Sequence, residues 1–330
     1  MNIHEYLKNA ANAEHKRGLP ILSFPATSKM GVSVGELVKD SELQARAMAT
    51  VASSTDTLAA ISLMDLSVEA EAFGAEVRFA DDEVPVVLGQ LVCDEEGAKE
   101  LRVPALDEGR AAMCAEGIRL AKERITDKPL IAGMIGPYSL AGRLMDVTEI
   151  MYLCFDEPDT VHIVLQKATE YLIAYGRSFK EAGADGIMMA EPLAGILNPT
   201  LAEEFSEPYV KRIIEALQDE SFAVIYHNCG NAVMGMLDGI FSLGAAAYHF
   251  GNAVDIAEIL EKAPADIICM GNIDPVAQFT EGTPESMTEA VKELMAKCGG
   301  YKNFIPSSGC DIPARAKWEN IDAFFAALGE

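Results

Sequence analysis

Short runs of hydrophobic residues alternate with longer, mixed segments along almost the whole chain. The apolar runs begin at about residues 19, 58, 129, 186, 222, 245, 266 and 303. The segments between them are mostly amphipathic, with apolar residues recurring at the three- and four-residue intervals of a helix. Eight alternating strand and helix units predict an α/β protein built as a (β/α)8 barrel, the TIM barrel.

A doubly wound open sheet is the main alternative to the barrel. In nucleotide-binding sheets of that kind, the first strand is followed by a glycine-rich turn of the form GxGxxG. No strand predicted in this sequence is followed by such a turn. The barrel is therefore the favoured fold.

Two additions to the barrel are predicted. Residues 3–17 have helical spacing and end at Gly18, which places a helix before the first strand, at 19–24. Residues 74–91 contain two short extended pieces separated by the acidic residues 81–83, a pattern typical of a hairpin insertion. No linker rich in glycine, serine or proline interrupts the chain, so residues 1–330 are predicted to form a single barrel domain.

Composition excludes several classes of partner and location. The chain has 330 residues and a formal net charge of −25, and its acidic residues are spread along it, which disfavours nucleic acid and anionic membranes as partners. No apolar run approaches the ~20 residues needed to cross a bilayer. The N-terminus lacks the apolar stretch of a signal peptide, and the seven cysteines form no dense framework. These features predict a cytoplasmic protein with reduced thiols.

Chemically reactive side chains follow the predicted strands. Active sites of TIM barrels lie at the carboxyl ends of the strands. The polar residues that come after apolar runs are Asp65, Glu191, His227, Cys229, His249, Asn252, Asn272, Asp274, Ser307 and Cys310. Asp65, Asn252 and Asp274 are also good helix-capping types, and capping is an equally good interpretation for each of them. The cysteines in other contexts, which we interpret as structural, are Cys93, Cys114, Cys154, Cys269 and Cys298.

His227, Cys229 and Cys310 form a candidate zinc site. The first two lie in FAVIYHNCGN (222–231) and the third in SSGCD (307–311), in each case after an apolar run. Zinc prefers imidazole and thiolate ligands, and three protein ligands with one open position are typical of a catalytic site. Residues two apart in an extended strand point to the same side, so His227 and Cys229 can reach one ion. The competing interpretation is a satisfied core histidine and two ordinary buried thiols.

Glu191 and His249 have more than one interpretation. The carboxylate of Glu191 is a possible fourth zinc ligand that substrate displaces, or a base beside the metal. His249 would orient a ligand or substrate, although a buried histidine bonded to backbone is the commoner situation. A zinc ion that already carries two thiolates suits a substrate thiolate better than an acidic water, because the thiolates dilute the metal charge. The predicted chemistry is therefore alkyl transfer through sulfur.

Four motifs resemble the methylcobamide:coenzyme M methyltransferases of the uroporphyrinogen decarboxylase superfamily. They are HNCGN (227–231), SSGCD (307–311), GNIDP (271–275) and DLSVEAEAFGAEV (65–77), and the resemblance covers nearly the whole chain. It implies that His227, Cys229 and Cys310 hold a zinc ion, with Glu191 as a candidate fourth ligand. In that family the zinc activates the thiol of coenzyme M, which receives a methyl group from a methylated corrinoid protein.

On this interpretation the protein is a zinc-dependent corrinoid methyltransferase that acts on a small-molecule thiol. The catalytic candidates are Glu191, Asp65 and His249, and the candidates for binding the corrinoid or substrate are Asn252, Asn272 and Ser307. No corrinoid-binding DxHxxG motif is present, so we expect the corrinoid to arrive on a partner protein or free.

Three alternatives remain. The first is a methyltransferase that moves methyl groups from methoxylated aromatic donors to the corrinoid. The second is uroporphyrinogen decarboxylase itself, which carries an arginine-rich segment where residues 19–31 read LPILSFPATSKMG. The third is a carrier of corrinoid or zinc without catalytic activity, since a fold does not guarantee activity.

Overall fold

The computed structural model describes residues 1–329, which form a curved parallel sheet surrounded by helices. The strands are β1 (Ala60–Ile61), β2 (Glu76–Arg78), β3 (Val86–Leu88), β4 (Leu130–Ile135), β5 (Gly186–Ala190), β6 (Ala223–Asn228), β7 (Ala247–Phe250), β8 (Cys269–Ile273) and β9 (Phe304–Ser308). Seven of them form one sheet in the order β1-β4-β5-β6-β7-β8-β9, and all neighbours are parallel. Sequential order with helical crossovers is the topology of a TIM barrel, which confirms the predicted fold class.

The α-helices lie between and around these strands. They are α1 (Ile3–Asn12), α2 (Ala26–Met30), α3 (Val34–Leu37), α4 (Ser41–Ser54), α5 (Val68–Ala72), α6 (Glu95–Glu100), α7 (Ala111–Arg124), α8 (Pro137–Met145), α9 (Val147–Asp156), α10 (Pro158–Glu181), α11 (Pro199–Phe205), α12 (Glu207–Leu217), α13 (Leu237–Ser242), α14 (Ile256–Lys262), α15 (Pro284–Cys298) and α16 (Trp318–Leu328). Within the described residues, no helix is long and apolar enough to span a bilayer.

Both predicted additions to the barrel are present. The N-terminal helix α1 ends at Asn12, which is shorter than the predicted span of 3–17. The insertion is a hairpin in which β2 and β3 pair antiparallel, apart from the large sheet. Its position between β1 and β4 is the one predicted. The division of the chain into domains stays a prediction.

The predicted first strand at 19–24 is wrong as a regular strand. This segment nevertheless lies between the two ends of the sheet, because Leu19 N donates to Pro306 O of β9 and Leu58 N, just before β1, donates to Gly18 O. Pro20 has no N–H, and Ile21 N donates to the side-chain Oγ of Ser308 instead of a carbonyl. A continuous ladder therefore cannot form, and residues 18–24, the closing segment, complete the barrel with single hydrogen bonds.

Alternation along the strands separates the barrel interior from the helix-facing layer. One buried cluster fills the interior and includes Ala223 and Ile225 of β6, Ala247 of β7 and Ile305 of β9, with Ile3 of α1 packed into it. Side chains two residues apart share a face of a strand. The next interior positions, toward the carboxyl ends, are therefore His227 on β6, His249 on β7 and Ser307 on β9, whose side chains are all buried.

Candidate metal centre

His227, Cys229 and Cys310 come together at the carboxyl ends of the strands; we call these three residues the metal centre. Their ligand atoms all lie within 4.8 Å of one another, and His227 Nε2 is 3.7 Å from Cys310 Sγ. Zn–S and Zn–N bonds of about 2.3 and 2.0–2.1 Å place tetrahedral ligand atoms roughly 3.6–3.8 Å apart. One pair already has that spacing, and the other two pairs lie within 4.8 Å. The donor set fits zinc, and its occupancy stays a prediction.

The two sulfur atoms of the metal centre are hydrogen-bonded to each other. The thiol of Cys310 is hydrogen-bonded to Cys229, and this bond lowers the pKa of the Cys229 thiol to about 7 against the opposing effect of burial. The same bond, together with burial, raises the pKa of the Cys310 thiol to about 12. A divalent cation bound between them would stabilise both as thiolates.

Room for Cys229 depends on a glycine in the neighbouring loop. A β-carbon at Gly251, directly after β7, would lie 2.6 Å from both Cα and Cβ of Cys229. Such an approach is too close for any larger residue. The loop after β7 and the loop that carries Cys229 are therefore packed backbone to backbone at the edge of the metal centre.

Behind the metal centre, His227 is joined to two other predicted site residues. Its Nδ1 lies 2.8 Å from Nδ1 of His249, and Nε2 of His249 lies 2.8 Å from Oγ of Ser307. His249 is fully buried, and burial together with the neighbouring His227 lowers the pKa of its imidazole well below the usual value. Its ring contacts the side chains of His227 and Ser307 and also the backbone of Ser308, so the alternative of a buried histidine bonded to backbone stays open. The predicted catalytic and cofactor-binding roles stay untested.

Glu191 lies outside the group of three ligand atoms. Ala190 of β5 belongs to the interior cluster, and Glu191, one residue further, is fully buried where α8 begins. Its Oε1 accepts from Tyr138 N, and its Oε2 accepts from Ser139 N and Ser139 Oγ. Burial raises the pKa of its carboxyl to about 7, although the three hydrogen bonds oppose this. The carboxyl therefore anchors the start of α8, and its role as a metal ligand or base stays a prediction.

Asp65 is part of a buried ion pair. Its Oδ2 lies 2.5 Å from Nη1 of Arg110, and its Oδ1 accepts from Ser67 N and Ser67 Oγ. Arg110 also donates to Glu71. Because both carboxylate oxygens are engaged, Asp65 is held in one orientation after β1. Its predicted catalytic role is untested.

The predicted site residues after β7 and β8 bind each other and the nearby backbone. Asn252 Nδ2 donates to Oδ2 of Asp274, and Asn272 Nδ2 donates to the carbonyls of Gly251 and Val254. Asp274 Oδ1 accepts from Val276 N and Ala277 N, so the capping role considered for Asp274 is observed. These contacts hold the loops beside Cys229 in place, while the predicted cofactor contacts of Asn252 and Asn272 are untested.

Arg143 is a candidate functional residue that lies outside the sequence motifs. It lies on α8, is partly buried, and has Asp65 and Glu69 as charged neighbours. Within residues 1–329, no hydrogen bond or direct ion pair engages its guanidinium, and burial lowers the pKa of that group. An arginine offers five donors in a planar fork that matches anionic oxygen groups. The signal in the sequence is a lone charge in the apolar stretch PYSLAGRLM.

Sequence comparisons match this chain to one family over nearly its full length. The family model described as uroporphyrinogen decarboxylase (URO-D) matches residues 21–330. A methylcobamide:CoM methyltransferase, MtbA, of Methanosarcina acetivorans is 28% identical over 327 residues, covering 96% of this chain and 94% of the relative. MtbA of Methanosarcina mazei is 30% identical over 261 residues, covering 78% of this chain and 75% of that relative. The chloroplastic uroporphyrinogen decarboxylase 2 of Arabidopsis thaliana is 29% identical over 224 residues, or 65% of this chain and 56% of the relative.

Solved structures share the fold. A methyltransferase from Methanosarcina mazei superposes with a TM-score of 0.87 at 23% identity and covers 99% of this chain and 98% of its own. A B12-independent methionine synthase from a Shewanella species gives a TM-score of 0.59 at 13% identity, with 94% of each chain covered. The sequence and structure matches together confirm the resemblance that the four motifs indicate.

Proposed function

The chain belongs to the uroporphyrinogen decarboxylase (URO-D) family, and within it we propose a zinc-dependent corrinoid methyltransferase that moves a methyl group between a methylcorrinoid and a small thiol such as coenzyme M. The observation that carries this proposal is the convergence of one imidazole and two sulfur atoms, His227, Cys229 and Cys310, within 4.8 Å. The relatives named MtbA, which span most of the chain, support the same reaction class.

The charges of the metal centre favour a thiol substrate. Cys229 and Cys310 supply two negative charges as thiolates, and His227 supplies a neutral imidazole. Bound zinc would lower the pKa of the substrate thiol and hold the resulting thiolate as the nucleophile. Because the two protein thiolates balance the metal charge, a third thiolate keeps its nucleophilicity. No general base is strictly required on the protein once the substrate is ionised.

Arg143 is the residue that we propose for binding the anionic end of the thiol. Coenzyme M carries a sulfonate, and a chain with a net charge of −25 repels anions except where a cation is exposed to them. Arg143 has free donors on α8, whose first turn is fixed by Glu191 beside β5. A guanidinium with free donors on this helix would select a thiol with a negatively charged group.

The corrinoid is proposed to arrive on a partner protein or free, because this sequence has no corrinoid motif of its own. The reacting carbon must approach to roughly 3–3.5 Å from the nucleophile, so the corrinoid face would dock over the carboxyl ends of the strands. We also propose a cytoplasmic location, since all seven cysteines, each within the described residues, are unpaired.

Demethylation of methylcobalamin by coenzyme M, followed by the visible spectrum of the corrinoid, tests the proposed function. The zinc-loaded protein should catalyse the reaction and the zinc-stripped protein should not. If the protein instead methylates cob(I)alamin from a methoxylated aromatic compound and ignores thiols, it belongs to the demethylating half of such pathways. Formation of coproporphyrinogen from uroporphyrinogen would contradict the methyltransferase proposal altogether.

A further inference from the structure

We propose that Ser307 and His249 act as positioning residues that hold His227 in the tautomer whose Nε2 lone pair faces the metal. The inference rests on the proposed metal centre and assigns both residues a role behind it, in place of direct contact with substrate or cofactor. The three residues form a hydrogen-bonded chain that ends at a backbone carbonyl, and this carbonyl fixes the position of every proton in the chain.

This series of hydrogen bonds begins at the closing segment. Oγ of Ser307 lies 2.7 Å from the carbonyl oxygen of Leu19, Nε2 of His249 lies 2.8 Å from Oγ of Ser307, and the two Nδ1 atoms of His249 and His227 are 2.8 Å apart. At the other end, His227 Nε2 faces Cys310 Sγ at 3.7 Å. Ser307 and His249 are fully buried, and His227 is nearly so.

The proton positions follow from one chemical fact, that a carbonyl oxygen can only accept. The hydroxyl of Ser307 must donate its single proton to Leu19 O, so its oxygen accepts from His249 and Nε2 of His249 carries a proton. A fully buried imidazole whose partners are all neutral, the backbone of Ser308 included, is itself neutral, so Nδ1 of His249 has a lone pair and accepts. Nδ1 of His227 is therefore the donor, and Nε2 of His227 is left with the lone pair that a metal requires.

In this arrangement neutral groups fix the ring and the tautomer of the histidine ligand, a role that a carboxylate often has in metal sites. A histidine ligand usually donates its second N–H to a carboxylate, a carbonyl or water, which fixes the ring and its tautomer. Here the acceptor is His249, itself fixed by Ser307. Ser307, His249 and His227 add no negative charge, so the two thiolates of the metal centre alone would balance a divalent ion.

The three residues are also placed by the most rigid part of the fold. His227 and His249 are directly paired in the parallel register of β6 and β7, and Ser307 lies on β9. All three occupy the interior face by alternation, one layer above the apolar cluster. Hydrogen-bonded residues that lie on three strands hold the imidazole of His227 more precisely than residues of a loop could.

Ser308 provides a matched control for Ser307. It is the next residue on β9, it is equally buried, and its Oγ accepts a hydrogen bond of 3.0 Å from Ile21 N. Both serines therefore bind β9 to the closing segment, and each loses one such bond when it is replaced by alanine. Only Ser307 contacts His249 through its side chain, whereas Ser308 contacts it through its backbone, which replacement by alanine leaves in place.

Competition with a chromophoric zinc chelator measures the effect. We expect Ser307→Ala to weaken zinc binding by about 10- to 100-fold, the range seen when such outer partners are removed, while Ser308→Ala leaves the affinity nearly unchanged. His249→Gln should retain most of the affinity, because its amide can both accept from His227 and donate to Ser307, whereas His249→Leu should lose it. Circular dichroism of the metal-free variants checks that they are folded.

Nitrogen NMR of the metal-free protein gives an independent readout. His227 should carry its proton on Nδ1 in the wild type and in Ser308→Ala, and should show a mixture of tautomers in Ser307→Ala. Equal zinc affinities for Ser307→Ala and Ser308→Ala, or a His227 protonated on Nε2 in the wild type, would overturn the positioning role. Cys310→Ser separates the two proposals: if this variant binds zinc as tightly as wild type, the metal centre itself is wrong and the positioning role falls with it.

Discussion

A β-carbon at Gly136 would lie 2.2 Å from Cγ of Glu191. Glycine is required here by space and not by backbone conformation, because Gly136 has φ −88° and ψ 166°, which any residue adopts. The hydrogen of the glycine is what allows the buried carboxyl to reach the first N–H groups of α8. The first turn of α8 and Glu191, which follows β5, are thus packed together and joined by hydrogen bonds.

Gly136→Ala is expected to lower the free energy of unfolding by about 1–3 kcal/mol, the usual cost of overpacking a buried site. The added methyl group must push Glu191 away from Tyr138 N and Ser139 N. Gly300→Ala is the control, since a β-carbon there meets nothing within 4 Å. Urea unfolding measures the free energy of unfolding of both variants. Equal values for the two would show that α8 can shift to accommodate the methyl group without losing stability.

Glu191→Gln should keep its zinc while destabilising the protein. The three residues of the metal centre remain, but the new amide NH₂ faces a donor from the backbone of α8 where an oxygen accepted before. An unpaired buried donor costs about 1–3 kcal/mol. Zinc content per chain and thermal unfolding are the measurements. Complete loss of zinc in this variant would instead make Glu191 an essential ligand.

The purified protein should hold about one zinc ion per chain, because the metal centre offers three ligands for one ion. Cys229→Ala and Cys310→Ala should each lose the metal without unfolding the barrel, as followed by elemental analysis and circular dichroism. Cys298→Ala, which removes a buried thiol from α15, should retain it. Full zinc in both ligand variants would refute the site.

We expect the buried carboxyl of Glu69 to lower the free energy of unfolding as the pH rises from about 4.5 to 7. Its side chain is buried behind β4, Oε1 accepts from Ile135 N, Oε2 has no hydrogen-bond partner within the described chain, and burial raises the pKa of the carboxyl to about 7. The folded protein therefore binds a proton that the unfolded chain has released, so the contribution is complete below pH 4.5 and is lost through pH 7.

A shift of that size corresponds to about 3 kcal/mol. We expect wild type to lose up to this amount relative to Glu69→Gln between pH 4.5 and pH 7.5, measured by urea unfolding across the range. Glu100→Gln, which changes an exposed residue, serves as the control. Parallel pH profiles for wild type and Glu69→Gln would contradict the burial of an uncharged carboxyl.

Arg143→Gln should raise the KM for coenzyme M by about tenfold or more, because a hydrogen bond between charged groups contributes about 1.5–3 kcal/mol. The KM for 2-mercaptoethanol, an uncharged thiol of similar length, should change little. Arg315→Gln, an exposed position, controls for the loss of net charge. If the KM values for both thiols rise together, Arg143 shapes the fold and does not select the anion.

The sequence predicts the parts of this protein that depend on local pattern. The alternation of apolar runs with amphipathic segments locates seven of the eight strand positions. The polar residues at the ends of those apolar runs include all three members of the metal centre. Cys310 is brought to Cys229 only by the barrel, so the prediction relied on the shared strand-end context. The two-residue period of side chains along a strand also predicts different faces for Glu191 and His227. His227 lies on the interior face, whereas Glu191 follows Ala190, which faces the interior, and therefore lies on the other face.

Contacts between distant parts of the chain could not be predicted in this way. The bond from Ser307 to Leu19 joins residues 288 positions apart, and the pattern alone made Ser307 a ligand contact. Residues 19–24 have the composition of a strand, but a ladder needs N–H groups on both sides, and Pro20 removes one. The orientation of Arg143 toward Asp65 and Glu69 depends on how α5 packs against α8, which no local spacing encodes.

The positions of Cys229 and Cys310 in the sequence would also set when the proposed zinc ion can bind during synthesis. A ribosome that has added Cys229 must add 310 − 229 = 81 further residues before the third ligand exists. At about 5–20 residues per second this takes roughly 4–16 s, during which one imidazole and one thiol are available to any soft metal or oxidant. Because β9, which precedes Cys310, must also meet the closing segment, the proposed ion would contact all three ligands only after β9 has been made.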